Sequence, residues 1–185
     1  MPRARPPADN ADLAARIRTI ADYPKPGVQF RDVSTLLLDG PAFRDTIDRL
    51  ADFVDIDEVD LVAGIEARGF IVASALSYAL GKGKLMMRKP GKLPGKSIGI
   101  EYALEYGTDR IEMHAGHVLP GQRILLVDDL LATGGTAMAA VTLLREAGAR
   151  VDNALFIVDL PDLGGAERLR AHDIHPHALC TFAGD

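Results

Sequence analysis

The strongest chemical signal in the chain is the ten residues from Val127 to Thr136, Val-Asp-Asp-Leu-Leu-Ala-Thr-Gly-Gly-Thr. Gly134 and Gly135 allow a tight turn with backbone amides pointing inward. A helix starting there would add its positive end, so the loop suits a phosphate. Thr133 and Thr136 add hydroxyl donors. Asp128 and Asp129 do not fit a phosphate alone, because like charges repel at short range. Ribose hydroxyls resolve the conflict: a carboxylate accepts two hydroxyl donors well. An acid pair followed by an amide cradle therefore describes a site for a sugar bearing a 5′-phosphate. A helix N-cap with acids near the dipole would explain Thr133 or Asp129 singly, but not the string that also holds Ala132, Gly134, Gly135 and Thr136.

A second concentration is cationic. Between Lys82 and Lys96 lie five lysines, at 82, 84, 89, 92 and 96, together with Arg88 and no acid. Removing these six from the chain's 21 cations leaves 15 against 26 carboxylates, within a net charge of -5. A cationic island on an acidic body suits a small anionic ligand better than a polymer, and the overall charge argues against general nucleic-acid binding. The alternative is a solvated polybasic loop.

The elements that must position these residues follow from the apolar pattern. Ile124 to Val127 predicts a buried strand, Asp128 to Gly135 a loop, and Thr136 to Ala147 a helix closed by Gly148. Leu61 to Ile65, the turn Glu66-Ala67-Arg68-Gly69, and Phe70 to Leu80 repeat that grammar, and Ala154 to Val158 supplies a further strand. Alternating apolar strands and helices predict an α/β fold, a parallel sheet flanked by helices, with ligands at the carboxyl ends of the strands. Both loops fall there. Phe43, Ile47, Leu50 and Val54 make Pro41 to Val54 an amphipathic helix. Ser97 to His114, with Gly107-Thr108-Asp109 as its turn, predicts a hairpin or flap. Arg16 to Ala21 reads as the end of a short helix, stopped by Tyr23-Pro24-Lys25-Pro26-Gly27.

With 185 residues, 48% of them apolar, the chain can close one core. Residues 1–15 are assigned to a loose N-terminal arm and residues 16–185 to a single domain. No apolar run approaches the roughly 20 residues of a membrane helix. Met1 to Asn10 lacks the apolar core of a signal peptide. Cys180 is the only cysteine, which fits a reducing compartment; the expected location is the cytoplasm, away from membranes.

The Val127–Thr136 string is similar to the phosphoribosyl pyrophosphate motif of type I phosphoribosyltransferases. Four further segments resemble the adenine branch of that family: Tyr23 to Asp32, Glu66 to Phe70, Arg88-Lys89-Pro90-Gly91-Lys92-Leu93-Pro94, and Leu104-Glu105-Tyr106-Gly107. The resemblance runs from Arg16 to Phe182. It implies a small N-terminal hood in which Phe30 stacks on adenine while the main chain of Gln29 and Arg31 pairs with the base edge. Gln29 is a departure, polar where an apolar residue is expected. Read without the resemblance, Val28 to Asp32 is simply a loop tucking Phe30 into the core. The resemblance further implies that Arg68 contacts pyrophosphate, consistent with the match of guanidinium forks to phosphate oxygens. Arg88, Lys89 and Lys92 look like further pyrophosphate contacts, offered to a neighbouring subunit's site in a homodimer. Lys82, Lys84 and Lys96 are left as solvated charge.

The reaction so implied displaces pyrophosphate from the anomeric carbon of phosphoribosyl pyrophosphate by a ring nitrogen of adenine. Magnesium is expected to bind through substrate oxygens, with no direct protein ligand. A flap over Met87 to Gly107 would exclude water and bring Glu105 to the base for proton handling. Two alternatives stand beside this reading: transfer to a different base, and a phosphoribosyl pyrophosphate-sensing regulator without turnover. Pro90 to Ser97 approaches a nucleotide-triphosphate loop but has Pro90 in place of its first glycine and no helix start after it. His114 and His117, or His172, His175 and His177, lack a convincing set of metal partners.

Overall fold

The computed structural model describes residues 10–103 and 107–184. A short helix α1 (Ala11–Ala14) leads into an antiparallel ribbon, β1 (Arg18–Ala21) against β2 (Gln29–Asp32), in which Ile20 faces Phe30. Helices α2 (Ser34–Leu38) and α3 (Gly40–Ala51) precede β3 (Leu61–Ile65), α4 (Gly69–Leu80) and β4 (Gly83–Met87). Then come a hairpin of β5 (Ser97–Ala103) and β6 (Thr108–His114), strand β7 (Ile124–Val127), a two-residue β8 (Leu130–Leu131) and α5 (Gly135–Glu146). Strand β9 (Asn153–Asp159), α6 (Gly165–Arg170) and β10 (His175–Thr181) finish the chain.

The central sheet runs β10-β9-β7-β3-β4 with β8 beside β9, and every pairing in it is parallel. Its central strands β3, β7 and β9 are buried on both faces, which is why they read as continuous apolar runs. Val62, Leu125, Val127, Leu155 and Ile157 pack toward α1 to α4. Ala63, Ile65, Leu126 and Phe156 pack toward α5, α6 and the hairpin residues Ile111 and Met113. Asp39 starts α3 by accepting the Ala42 amide at 3.1 Å, replacing a bond the first turn cannot make internally.

The structure bears out the α/β fold with its parallel sheet, and corrects two local expectations. Arg18 to Ala21 is a strand rather than the end of a helix, because β2 supplies its hydrogen-bonding partners. Within the stretch expected as an arm, residues 11–14 form α1. Leu13 is only 1% exposed, and the Asn10 amide donates to the Leu179 carbonyl at 2.9 Å, so α1 is stitched to β10. Thr108 and Asp109 belong to β6 rather than to the hairpin turn. The segment Pro90 to Lys96 opens into β5, not a helix, which removes the nucleotide-triphosphate loop from consideration.

Candidate active site

The phosphate-type loop leaves the carboxyl end of β7 and enters α5, as the sequence pattern predicts. Asp128, Ala132, Thr133, Gly134, Gly135 and Thr136 line a cleft of about 110 Å³. Only one of its two glycines needs left-handed backbone. Gly134 has φ +73°, and a Cβ there would come within 3.1 Å of the Gly165 backbone. Gly135 is the first helical residue, and a Cβ on it would make ordinary contacts at 3.7 Å or more. The expectation that both glycines serve the turn is corrected accordingly. Gly165 is a site-supporting residue that the sequence reading missed: the loop rests on its bare Cα, next to the Ala132 carbonyl.

Asp128 lines this cleft, and Asp129 follows it in the chain. Asp129 is 5% exposed and accepts from Arg68 Nε at 2.5 Å, so the arginine after β3 and the acid after β7 form one unit. Asp128 Oδ1 accepts the Asp129 amide at 2.9 Å. Burial, and then the adjacent Asp129 carboxylate, push the Asp128 carboxyl well above the usual carboxylate range. An acid held in this way gains from ligand hydroxyls that donate to it and stabilise its charge. The start of α4 approaches so closely that a Cβ on Gly69 would stand 3.0 Å from Asp128 Cα, so only glycine fits there.

The ribbon brings the base-type residues to the same place. The Phe30 ring lies 5.5 Å from the Arg68 guanidinium and packs edge-on to Tyr23 at 5.2 Å, half-buried rather than in the core. Gln29, paired with Ala21, and Arg31, paired with Thr19, flank it on β2. The Arg31 side chain donates to Thr19 Oγ1 at 2.5 Å and to the Ala183 carbonyl at 3.0 Å, and lies 4.6 Å over the Phe182 ring. It fastens the ribbon to the chain end, a contact across 152 positions that no local pattern predicts.

The cation segment is fastened to the Arg68 turn by Glu66, which the sequence reading gave no role. Glu66 accepts Arg88 Nε at 2.7 Å and the Lys89 amide at 2.9 Å. Burial alone would raise the Glu66 carboxyl, but these hydrogen bonds outweigh it and hold it below its ordinary range. Arg88 also donates to the Lys92 carbonyl at 2.9 Å, closing the loop on itself, while the Lys92 side chain stays exposed. The Lys89 ammonium is paired with Asp109 and bonds the Tyr102 hydroxyl at 3.1 Å. Lys84 is not solvated charge: it donates to the Phe70 carbonyl at 3.1 Å and to Ser74 Oγ at 2.7 Å. Glu105 lies outside the described residues.

Phe30, Arg68, Asp128, Asp129 and the 132–136 loop thus converge, with Arg88 and Lys89 tied to the same turn through Glu66. Comparison with known proteins identifies the family. A model of the phosphoribosyl transferase domain matches residues 34–174. The adenine phosphoribosyltransferase of Sphingopyxis alaskensis is 51% identical over 182 residues, covering 98% of this chain and 99% of that protein. The crystal structure of the adenine phosphoribosyltransferase from Thermoanaerobacter pseudethanolicus superposes with a TM-score of 0.88 at 42% identity, covering 93% of this chain and 99% of that one. The enzyme from Saccharomyces cerevisiae, solved with an imino-altritol bisphosphate and adenine, superposes with a TM-score of 0.83 at 30% identity, covering 91% and 97% of the two chains.

Proposed function

The chain belongs to the adenine phosphoribosyltransferase family, within the wider phosphoribosyl transferase domain family, and from that premise we propose how its own residues carry out the transfer. The reaction moves the 5-phosphoribosyl group from phosphoribosyl pyrophosphate to adenine and releases AMP and pyrophosphate. The observation that carries this reading is the joining of a phosphate loop, an acid pair and an aromatic hood through one arginine, Arg68, bonded to Asp129 and lying over Phe30.

The backbone amides of residues 132–136, with the Thr133 and Thr136 hydroxyls, hold the 5′-phosphate at the start of α5. Asp128 and Asp129 accept the ribose hydroxyls and fix the ring so that the anomeric carbon faces Phe30. The nitrogen–carbon bond forms as the carbon–oxygen bond to pyrophosphate breaks, and the base loses the proton on its attacking nitrogen. Glu105 is the proposed acceptor of that proton. Arg68, Arg88, Lys89 and Lys92 stabilise the charge that develops on the departing pyrophosphate.

Among the described residues no cluster of three or more His, Cys, Asp or Glu side chains could cage a metal. Asp129 is already bonded to Arg68, while Asp128 resists ionisation. The donor set therefore fits a magnesium ion that reaches the site on diphosphate and ribose oxygens. Magnesium so bound supplies charge neutralisation to the leaving group.

A homodimer is part of the proposal. Ile71 and Tyr78 on α4 and Met86 on β4 are exposed on one face of the sheet, and Tyr78 keeps 90% of its surface. An apolar face of this kind is suited to a second copy of the chain. The test of function is direct: pure protein is incubated with phosphoribosyl pyrophosphate, magnesium and a panel of bases. AMP and pyrophosphate should accumulate in equal amounts with adenine; absence of turnover, or preference for another base, would overturn the reading.

A further inference from the structure

The Tyr102 hydroxyl stands where the two anion-binding regions meet. It lies 3.0 Å from Asp109 Oδ2, 3.1 Å from Lys89 Nζ and 3.2 Å from Thr136 Oγ1. Thr136 lines the phosphate cleft, and Lys89 sits on the cation segment. The proton inventory of this cluster has one solution. Burial works against the ionised forms of both Asp109 and Lys89, but their mutual hydrogen bond and the bonds to Tyr102 outweigh it, leaving Asp109 below and Lys89 above their ordinary ranges.

Asp109 is therefore an acceptor only and Lys89 a donor only. Tyr102 has one proton and two lone pairs; it must donate to Asp109 and accept from Lys89. Toward Thr136 it can then only accept, so the single Thr136 hydroxyl proton points at Tyr102. That leaves Thr136 Oγ1 presenting lone pairs to the cleft, the wrong polarity for a phosphate oxygen.

We propose that Tyr102 is a positioning residue that competes with the 5′-phosphate for the Thr136 proton, holding the β5–β6 hairpin on the cradle and releasing it when a phosphate monoester binds. The competition links the two ends of the substrate. When Thr136 turns its proton to the phosphate, the bond that ties the hairpin to the start of α5 is lost. Tyr102 and Lys89 are then free to shift together, and Lys89 becomes available to the diphosphate. The inference rests on the proposed phosphoribosyl site and adds an order of events to it: the cradle fills first, and the cations are released afterwards.

Ribose 5-phosphate is the probe, because it offers the phosphate and sugar without the diphosphate. Titrated into the parent protein, it should raise amide hydrogen exchange in β5 and β6, with a midpoint equal to its calorimetric Kd. Tyr102→Phe keeps the ring and removes the hydroxyl. It should bind ribose 5-phosphate about fivefold more tightly, the equivalent of one net hydrogen bond of about 1 kcal/mol. Its hairpin should exchange quickly with or without ligand. Binding to the parent with unchanged or slower exchange in β5 and β6 overturns the latch while leaving the cradle in place, and this readout needs no variant. Equal or weaker affinity in a folded Tyr102→Phe protein overturns it as well. Failure of the parent to bind ribose 5-phosphate at all would overturn the cradle assignment and the latch together.

Discussion

The two regions to which we assign the substrate contacts are built on opposite plans. The 128–136 loop is strung between β7 and α5, touches β9 through β8, and presents mostly backbone. Its geometry is set by the sheet. The described residues between Arg88 and Asp109 pair among themselves and with β6 through backbone, but are tied to the Arg68 turn and to the start of α5 by side chains: Glu66 to Arg88, and Tyr102, with its partners Lys89 and Asp109, to Thr136. The contrast separates two tasks. A backbone cradle is preorganised and holds the sugar phosphate in one place, whereas side-chain pairs can exchange one partner for another as charge moves to the leaving group.

The comparison breaks most visibly if the cradle can be emptied without losing affinity. Replacing both acids, Asp128→Asn with Asp129→Asn, should weaken phosphoribosyl pyrophosphate binding by about 100-fold or more, since two charge-assisted bonds to hydroxyls are lost. Circular dichroism should report an intact fold. On the hairpin side, Glu105→Gln should lower turnover by about 100-fold, the size of a general acid–base contribution, with the KM for adenine little changed. Glu101→Gln, an acid on β5 outside the Leu-Glu-Tyr-Gly string, is the control and should turn over like the parent. Steady-state kinetics with adenine varied at saturating phosphoribosyl pyrophosphate will check both.

Gly134 and Gly135 sharpen the contrast within the cradle itself. Gly134→Ala puts a side chain at φ +73° and against Gly165, and should cost about 1–3 kcal/mol, a drop in Tm of several degrees. Gly135→Ala meets neither obstacle and should melt with the parent. The smallest effect concerns pH. The folded Asp128 carboxyl titrates above its unfolded value, so the folded state holds a proton that the unfolded state has already lost. Ligand-free stability from this group is therefore present at acid pH and lost as pH rises through the folded pKa. Asp128→Asn should abolish that loss, raising Tm at neutral pH relative to the parent, with no difference at pH 3.

How much of this was legible in the sequence follows the same division. Leu61 to Ile65 and Ile124 to Val127 announce themselves because both faces of the parallel sheet are buried there, and the turn at Gly134 is readable because its left-handed backbone restricts residue type. Strand β4 opens on Gly83 and Lys84, and β10 carries Pro176 and two histidines as the last strand of the sheet; neither shows an apolar run. The ribbon pairs Arg18-Thr19-Ile20-Ala21 with Gln29-Phe30-Arg31-Asp32, and its register depends on a proline-rich connection rather than on alternation. At the site, the cations were visible as charge. Their partners were not, because Glu66 precedes Arg88 by 22 positions and Asp109 follows Lys89 by 20, separations that only the folded sheet and hairpin close.

We assign the ribose phosphate to the acid pair and cradle, and the action on the reaction to the hairpin. The most direct measurement is calorimetric titration of phosphoribosyl pyrophosphate with magnesium into three proteins: the parent, Glu105→Gln, and Asp128→Asn with Asp129→Asn. Parent-like affinity in the first variant and loss of about 100-fold or more in the second are the predicted results. Equal affinity in all three, or loss in the glutamate variant alone, would contradict the division.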